Sequence, residues 1–436
     1  MPSSIKCILA LGIVLELVAG VWIYLSKDCD IPPDPPAPVW GNSPSPSSDL
    51  SVLGEIPDWS KLERFQDTIT RADFENLLTT VFTTGDGWKS YIEINDAGAR
   101  IVTGAEASSG VVFLRFSAPG THKTAPRHWK TAAELPPAPK DKPLLGLRVA
   151  IDPGHIGGKW AQIEERWFKT RDGAVICEGD MTLLVAKLLK PRLEALGATV
   201  SLVRERNEPV TALRPDSLLD AARESDPSVT QPEDLRKLAE RLFYRTAEIR
   251  ARAELVNGTL KPDLVLCLHF NADPWGSPDL PMLVKRNHLH LLVNGAYTHE
   301  EVSLADQRFS MLEKLLDHTH EEEVRIGTSV ADTFATISGL PPYSYPEGAT
   351  NARSVNGNPY LWARNLLANR LYACPVIFME PYVMNSTIDS PRLAAGDYDG
   401  TREINGRFLP SIFREYVDAL SRGLAGYYAA NRRTVP

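Results

Sequence analysis

Three residues of types that bind metals or move protons each stand just beyond a run of apolar residues. They are His155, His269 and Glu380, and the runs before them cover residues 147–151, 263–268 and 375–379. A hydrophobic core does not require a polar residue after three separate runs. These positions therefore indicate a chemical site.

The elements around these residues predict how they meet. Short apolar runs alternate with long helical patterns from residue 147 onward, which predicts an α/β fold: a mostly parallel sheet with helices on both faces. Ligands of such sheets bind just beyond the carboxyl ends of the strands. We therefore expect His155, His269 and Glu380 to converge at one edge of the sheet.

The residue types favour metal-assisted hydrolysis. Two histidines and one carboxylate form a common catalytic zinc set with a position left for water, and a second carboxylate can take the proton of that water. Glu178, just before a predicted helix that starts near Met181, is a fourth candidate. Two histidines and two glutamates would complete such a site.

Four segments in this order resemble motifs of the zinc-dependent N-acetylmuramoyl-L-alanine amidases of the Amidase_3 type. The resemblance extends over about residues 146–430, and an arginine-bearing helix before the second histidine is also similar to that of the family. The segments are Val149 to His155, Glu178 to Leu183, Leu268 to Ala272, and Val376 to Glu380 followed by Asn385, and the helix covers Arg250 to Asn257.

The resemblance implies a role for each residue. His155, Glu178 and His269 would bind Zn²⁺, and Glu380 would act as general base and then as general acid. Further residues are expected to orient the ligands or to contact substrate: Asp152, Asn271 and Arg250.

The chain also departs from the family pattern. A long insert separates His155 from Glu178, and it carries two rival carboxylates, Glu164 and Glu165. Glu178 is preferred as the third ligand because it precedes a helix, as in the family.

The implied activity is hydrolysis of the amide between N-acetylmuramic acid and L-alanine in bacterial peptidoglycan. Peptidoglycan is thus the expected partner, and a protein activator is left open. Two other functions fit the same residues: a non-catalytic wall-binding or regulatory protein on this fold, and a zinc carboxypeptidase acting on wall peptides.

Composition excludes some other classes. The 436 residues carry a net charge of −8 without a basic stripe, so nucleic acid is not an expected partner. The five cysteines have no paired spacing and indicate neither a disulfide framework nor a cysteine-rich zinc module.

The chain is predicted to consist of five consecutive parts. An apolar stretch from Ile8 to Leu25 indicates a signal anchor or a cleaved signal peptide, which implies a membrane-anchored or secreted protein facing the periplasm or extracytoplasmic space. The parts are that signal segment (1–30), a Pro/Ser-rich linker (31–57), a small α+β domain that acts as a spacer or as a wall-binding or regulatory module (58–120), a second linker (121–145) and the catalytic domain (146–436).

Residues 275–360 exceed what the family core needs. Their tyrosine-rich loops fit a glycan groove, a lid over the site or a plain surface insertion. His288 and His290 alternate around Leu289 in a predicted strand with one exposed face, where one of them is a candidate substrate contact.

Overall fold

The structure, a computed structural model, describes residues 49–104 and 110–435. The predicted signal segment and residues 31–48 of the first predicted linker lie outside the described residues. Among the described residues, no helix is both long enough and apolar enough to span a membrane.

Strands and helices alternate along most of the chain. The strands are β1 (Ile92–Ile94), β2 (Gly98–Val102), β3 (Val111–Arg115), β4 (Ala138–Pro139), β5 (Arg148–Pro153), β6 (Trp167–Lys169), β7 (Val175–Cys177), β8 (Thr199–Leu202), β9 (Leu264–Leu268), β10 (Leu289–Val293), β11 (Arg353–Ser354), β12 (Leu361–Ala363), β13 (Val376–Pro381), β14 (Thr401–Ile404), β15 (Arg407–Pro410) and β16 (Thr434–Val435).

The helices are α1 (Arg71–Leu77), α2 (Glu178–Ala195), α3 (Leu219–Ser225), α4 (Pro232–Leu242), α5 (Glu248–Glu254), α6 (His299–Ser303), α7 (Ala305–Leu316), α8 (Thr319–Ser338), α9 (Leu367–Leu371), α10 (Ser390–Ala394) and α11 (Ile412–Asn431). Three π-helical segments continue α1, α4 and α5, namely Leu78–Phe82, Phe243–Ala247 and Leu255–Leu260.

Seven strands form the central sheet, in the order β11-β12-β10-β13-β9-β5-β8. Four neighbouring pairs are parallel, from β13 through β9 and β5 to β8 and between β10 and β12. The pairs β10/β13 and β11/β12 are antiparallel. The sheet is therefore mixed, and its site-bearing half is the parallel part.

Alternating side chains of the sheet pack against helices on both faces. In β9, Leu264, Leu266 and Leu268 pack on the face covered by α2, α8 and α11, whereas Val265 and Cys267 pack on the face covered by α5 and α9. Because both faces are covered, the strand is apolar throughout, as expected for a buried parallel strand. The predicted α/β fold with helices on both faces is confirmed.

The described residues between 58 and 120 have the predicted mixture of helix and strands, and their buried side chains pack with those of a later part of the chain. The strands β1, β2 and β3 form an antiparallel sheet, and Thr70 caps α1 by accepting from the backbone N–H of Asp73. Its buried side chains belong to one hydrophobic cluster with Tyr297, Phe309 and Leu312. The expectation of a small α+β domain over residues 58–120 remains a prediction, and its buried side chains are shared with α7.

The predicted second linker is folded onto the rest of the chain. Trp129 in this segment is only 2% exposed, and β4 pairs in parallel with β16 near the C-terminus. Residues 121–145 therefore contribute to the packed body. The predicted domain boundaries remain predictions.

Candidate metal centre

Three of the predicted residues form one compact cluster. His155, Glu178 and His269 each offer one ligand atom, and these atoms lie within 4.8 Å of one another. The Nε2 atom of His155 lies 3.1 Å from one oxygen of Glu178, and the Nδ1 atom of His269 lies 3.1 Å from the other. The cluster could hold a metal ion.

The backbone after β5 holds His155 in a conformation that is uncommon for a residue with a side chain. Its φ is +57°, in the left-handed region. The guanidinium of Arg252 donates to its carbonyl oxygen at 2.8 Å, and the Glu164 carboxylate lies 3.5 Å from its Nδ1 atom. These contacts on both sides of His155 aim its Nε2 atom at Glu178.

Glu164 orients His155 and is not part of the cluster itself. Its two oxygens accept from the backbone N–H groups of Ile156 and Gly157, at 2.8 and 2.9 Å. An outer carboxylate that fixes the ring of a metal-binding histidine is common in metal sites. Of the two rival carboxylates in the insert, the other, Glu165, is exposed.

Glu178 is the first residue of α2, which therefore begins three residues before its predicted start near Met181. Its side chain is only 2% exposed, and one oxygen accepts from the backbone N–H of Phe270 at 3.1 Å. Its own N–H donates to the carbonyl of Arg166 at 3.1 Å. The hairpin β6/β7 thereby fixes the start of α2 beside the two histidines.

His269 follows β9 and is fixed by stacking and by a close backbone approach. Its ring stacks on Phe378 with 4.4 Å between centroids, and its N–H donates to the carbonyl of Met379 at 3.1 Å. A Cβ atom added at Gly154 would lie 2.3 Å from the His269 ring. Only glycine fits there.

Glu380, at the end of β13, lies opposite His290 of the antiparallel strand β10. Burial raises the pKa of its carboxyl and the negative charge of Glu178 adds to this, while the nearby cationic groups His269, Arg166 and His155 act in the opposite direction. The charged groups that shift the pKa of Glu380 include His155, Glu178 and His269. Glu380 is therefore a neighbour of the cluster and not one of the three converging ligands.

The cluster is electrostatically coupled. Burial lowers the pKa of His155, but Glu178 and Glu164 outweigh burial and raise that pKa to about 9. Burial raises the pKa of Glu178, yet the two histidines hold it well below its ordinary value.

The donor set fits a divalent transition metal. Two imidazoles and one carboxylate are the usual protein ligands of catalytic zinc. The three side chains His155, Glu178 and His269 are between 2% and 17% exposed, so they are shielded but reachable.

A buried network supports the turn that carries His155. Asp152 accepts from Arg252 at 2.8 Å and from the hydroxyl of Tyr372. Arg252 also donates to Glu248 at 2.8 Å. Asp152 thus contacts the arginine that supports this turn, and its role as an orienting residue stays a prediction.

Arg252, and not Arg250, is the arginine beside the site. The Arg250 guanidinium instead donates to Ser51 at 3.2 Å and to Asp306 at 3.4 Å. The resemblance singled out Arg250 on this helix, whereas the structure places Arg252 next to His155. Arg204 is a second supporting arginine that the sequence did not indicate, and it donates to the carbonyl of Gly179 at 2.6 Å.

Asn271 shapes the loop after His269. Its side-chain oxygen accepts from the N–H of Ala272 at 2.6 Å, and its side-chain nitrogen lies 3.5 Å from Nδ1 of His290. His288 and His290 are only 5% and 4% exposed, so the expectation of an exposed face on their strand is wrong.

The tyrosine-rich part of the long loops lies beside Glu380. Tyr343 stacks on His290 with 4.8 Å between ring centroids, and Tyr345 packs on Trp362 at 4.9 Å. The N–H of Leu289 donates to Pro341, which joins this loop to the start of β10. Its predicted role as groove, lid or insertion remains a prediction.

No protein-family model and no curated protein matches the chain. Among solved structures, the N-acetylmuramyl-L-alanine amidase Ami1 from Mycobacterium smegmatis is similar, with a TM-score of 0.37 and 18% identity over 66% of this chain and 99% of that one. The CwlD amidase from Clostridioides difficile, solved in complex with the GerS lipoprotein, has a TM-score of 0.37 and 10% identity over 65% and 98% of the two chains.

The catalytic domain of CwlV, an N-acetylmuramoyl-L-alanine amidase from Bacillus (Paenibacillus) polymyxa, has a TM-score of 0.32 and 13% identity over 64% and 94%.

Proposed function

We propose that this protein is a zinc-dependent hydrolase that cleaves the amide between N-acetylmuramic acid and L-alanine in bacterial peptidoglycan. The observation that carries the proposal is the convergence of His155, Glu178 and His269 within 4.8 Å. The order and type of the motifs around these residues support the choice of substrate.

His155, Glu178 and His269 would hold the zinc ion. When bound, zinc would lower the pKa of a water molecule and polarise the carbonyl of the amide. Neighbouring side chains hold two of these ligands in position, since Glu164 contacts His155 and Phe378 stacks on His269.

Glu380 would take the proton of the attacking water and then pass it to the leaving amine of L-alanine. Its raised pKa suits this double role, because a general base works best when its pKa lies nearer the working pH. The hydrolysis adds one water across the amide and leaves a carboxylate on the sugar side and a free amine on the peptide side.

Metal removal tests the proposal. Purified cell wall should lose turbidity when the protein is added, should keep it after the protein is treated with a zinc chelator, and should lose it again when zinc is restored. Wall digestion that persists in a chelated protein shown to contain no metal would refute a zinc hydrolase. A protein that binds wall and never digests it would favour a non-catalytic binding role.

The proposal includes a place outside the cytoplasmic membrane, since peptidoglycan lies there. The apolar segment within residues 1–30 would act as anchor or export signal. Fractionation of cells that express the full chain should recover the protein in the membrane or periplasmic fraction, and a cytosolic protein would contradict this. A wall activator protein, if one acts here, would raise the rate of wall digestion when added to the purified chain.

A further inference from the structure

A third arginine lies at the edge of the metal cluster. Arg166 belongs to the insert between His155 and Glu178 and directly precedes β6. Its Nε atom lies 3.9 Å from one carboxylate oxygen of Glu178, and Nε2 of His155 lies 3.1 Å from the same oxygen. The guanidinium is therefore next to two of the side chains that are proposed to hold the metal.

The backbone fixes Arg166 beside the start of α2. Its N–H donates to the carbonyl of Ala161 at 3.1 Å, and its own carbonyl accepts from the N–H of Glu178 at 3.1 Å. The next residue, Trp167, pairs with Cys177 in the hairpin β6/β7. The Arg166 side chain is 35% exposed, so a ligand from solvent can reach it.

The guanidinium of Arg166 has donors that no acceptor uses. Within residues 49–104 and 110–435 its only ion pair is the one with Glu178, and its side chain donates no hydrogen bond. A separation of 3.9 Å is too long for a hydrogen bond, and each oxygen of Glu178 already lies 3.1 Å from a histidine nitrogen. These donors are therefore available to another acceptor.

A positive charge at this place does not help to hold a metal. The guanidinium stays charged at every working pH, so it repels a metal cation in the cluster and weakens metal binding. Its charge also acts on Glu380, where it lowers the pKa of the carboxyl against the effect of burial. The same positive charge attracts an anion to the space beside the cluster.

We propose that Arg166 is an anion-binding residue of the metal centre and stabilises the negative oxygen that forms during hydrolysis of the amide. This role rests on the proposed function. Water adds to the carbonyl carbon and gives a proton to Glu380, and the electron pair of the C=O double bond moves onto the oxygen, to which Arg166 donates. The C–N bond then breaks as that electron pair returns and Glu380 passes the proton to the nitrogen. Donors aimed at a charge that develops only in the transition state raise the rate of turnover.

The first measurement is the zinc affinity of the metal-free full chain, by titration calorimetry. Arg166→Gln removes a repulsive charge, so zinc should bind equally well or up to about fivefold more tightly, the size expected for one partly exposed charge. An arginine that only held the hairpin in place would have the opposite effect. Weaker zinc binding by Arg166→Gln than by the unchanged chain would therefore overturn the proposal.

The second measurement is anion binding to the zinc-loaded full chain after removal of unbound zinc. The probes are inorganic phosphate, which is a tetrahedral anion, and the sugars N-acetylmuramic acid and N-acetylglucosamine, of which only the first carries a carboxylate. Arg166→Gln should weaken the binding of phosphate and of N-acetylmuramic acid by about tenfold, as for the loss of a charge-assisted hydrogen bond, and should leave the binding of N-acetylglucosamine unchanged. Arg171→Gln is the matched control, because Arg171 is an exposed arginine in the turn of the same hairpin, and it should change none of the three affinities.

The third measurement is wall digestion. Arg166→Gln should lower kcat by about a hundredfold to a thousandfold, as for the removal of one donor to the negative oxygen, whereas Arg171→Gln should not. Phosphate binding or kcat that is unchanged in Arg166→Gln would overturn the proposal, and so would an equal loss in both variants. If Arg166 governs phosphate binding in a zinc-loaded chain that digests no wall, the proposed hydrolysis alone is wrong.

Discussion

Glu178 of the cluster and the neighbouring Glu380 have pKa values that are shifted in opposite directions. The histidines hold the pKa of Glu178 well below its ordinary value, whereas burial raises the pKa of Glu380. Pairs of acids whose surroundings separate their pKa values commonly divide the roles of a site between them. Glu178 is suited to bind a cation permanently, and Glu380 is suited to exchange a proton.

Glu380→Gln should keep the metal and lose turnover by about a hundredfold to ten-thousandfold, as for the removal of a general base. Glutamine keeps the shape of the side chain but cannot accept the proton of water. Metal content by mass spectrometry and wall digestion should be measured together. Glu165→Gln, a change at an exposed glutamate, is the control and should alter neither.

Gly154→Ala should displace His269, since the new Cβ atom would lie 2.3 Å from its ring. We expect zinc affinity to fall by at least about tenfold, as for other losses of ligand orientation. Gly258→Ala is the matched control, because a Cβ atom there would have no neighbour within 4 Å. Equal zinc affinities in the two variants would show that this close approach does not position the ligand.

Zinc binding at neutral pH should release a proton from His155, whose pKa in the metal-free protein is raised to about 9. Below that pH the imidazole must lose its proton before it can bind metal, so zinc affinity should weaken as pH falls. Titration calorimetry in two buffers of different ionisation enthalpy measures the released protons. Zinc affinity that is unchanged between about pH 6 and pH 8 would contradict the assignment of His155 as a ligand.

The sequence could indicate which residues lie at strand ends but not which side chains contact them. His155, His269 and Glu380 follow apolar runs, so the geometry of a parallel sheet brings them together. Positions 250 and 252 lie about 200° apart around a helix, so a motif without a known helix phase cannot tell which arginine faces the sheet.

Among the elements, α7 joins the first part of the chain to the rest through a partly buried acid. Glu313 of α7 pairs with Arg64 at 3.1 Å, and Asp317 lies next to the same arginine. Burial raises the pKa of Glu313 to about 7 and that of Asp317 to about 6. The contact between these elements should therefore respond to pH.

Glu313→Gln should reduce the pH dependence of stability. Between the unfolded pKa near 4.5 and the folded value of about 7, the folded chain binds more protons than the unfolded chain. Its contribution to the free energy of unfolding is therefore greatest below that window and is lost as pH rises through it.

Urea unfolding at pH 5 and pH 8 measures this effect, which should be on the order of 1 kcal/mol for a partly exposed group. Glutamine should remove the share of the fall that Glu313 causes, while Asp317, whose pKa is raised to about 6, still contributes. Glu233→Gln, at an exposed position on α4, should leave the fall unchanged. The same fall in the Glu313→Gln variant would show that another group causes it.

Local composition predicted the positions of helices and strands better than it predicted how these elements pack. The helix α2 continues through Pro191, although proline inside a helix removes a hydrogen bond. Residues 121–145 contain much proline and lysine, yet Trp129 is buried among them. Local composition reports propensity, whereas these outcomes depend on tertiary contacts with distant parts of the chain.

For the whole molecule, the first folded region and the helix α7 share one cluster of buried side chains. Phe74 and Phe82 belong to the same hydrophobic cluster as Phe309 and Leu312 of α7. Removal of residues 59–119 would therefore expose part of the core around α7. The sequence alone could indicate a helix and strands in this region. It could not show that their buried side chains pack against those of α7.

The most direct test of the central claim is the product of digestion of one defined muropeptide. The protein with zinc should release a peptide with a free L-alanine amine and an intact sugar part, and mass spectrometry should find both products. Release of a C-terminal amino acid with the bond between sugar and L-alanine intact, or no cleavage by a zinc-loaded protein, would contradict the proposed amidase.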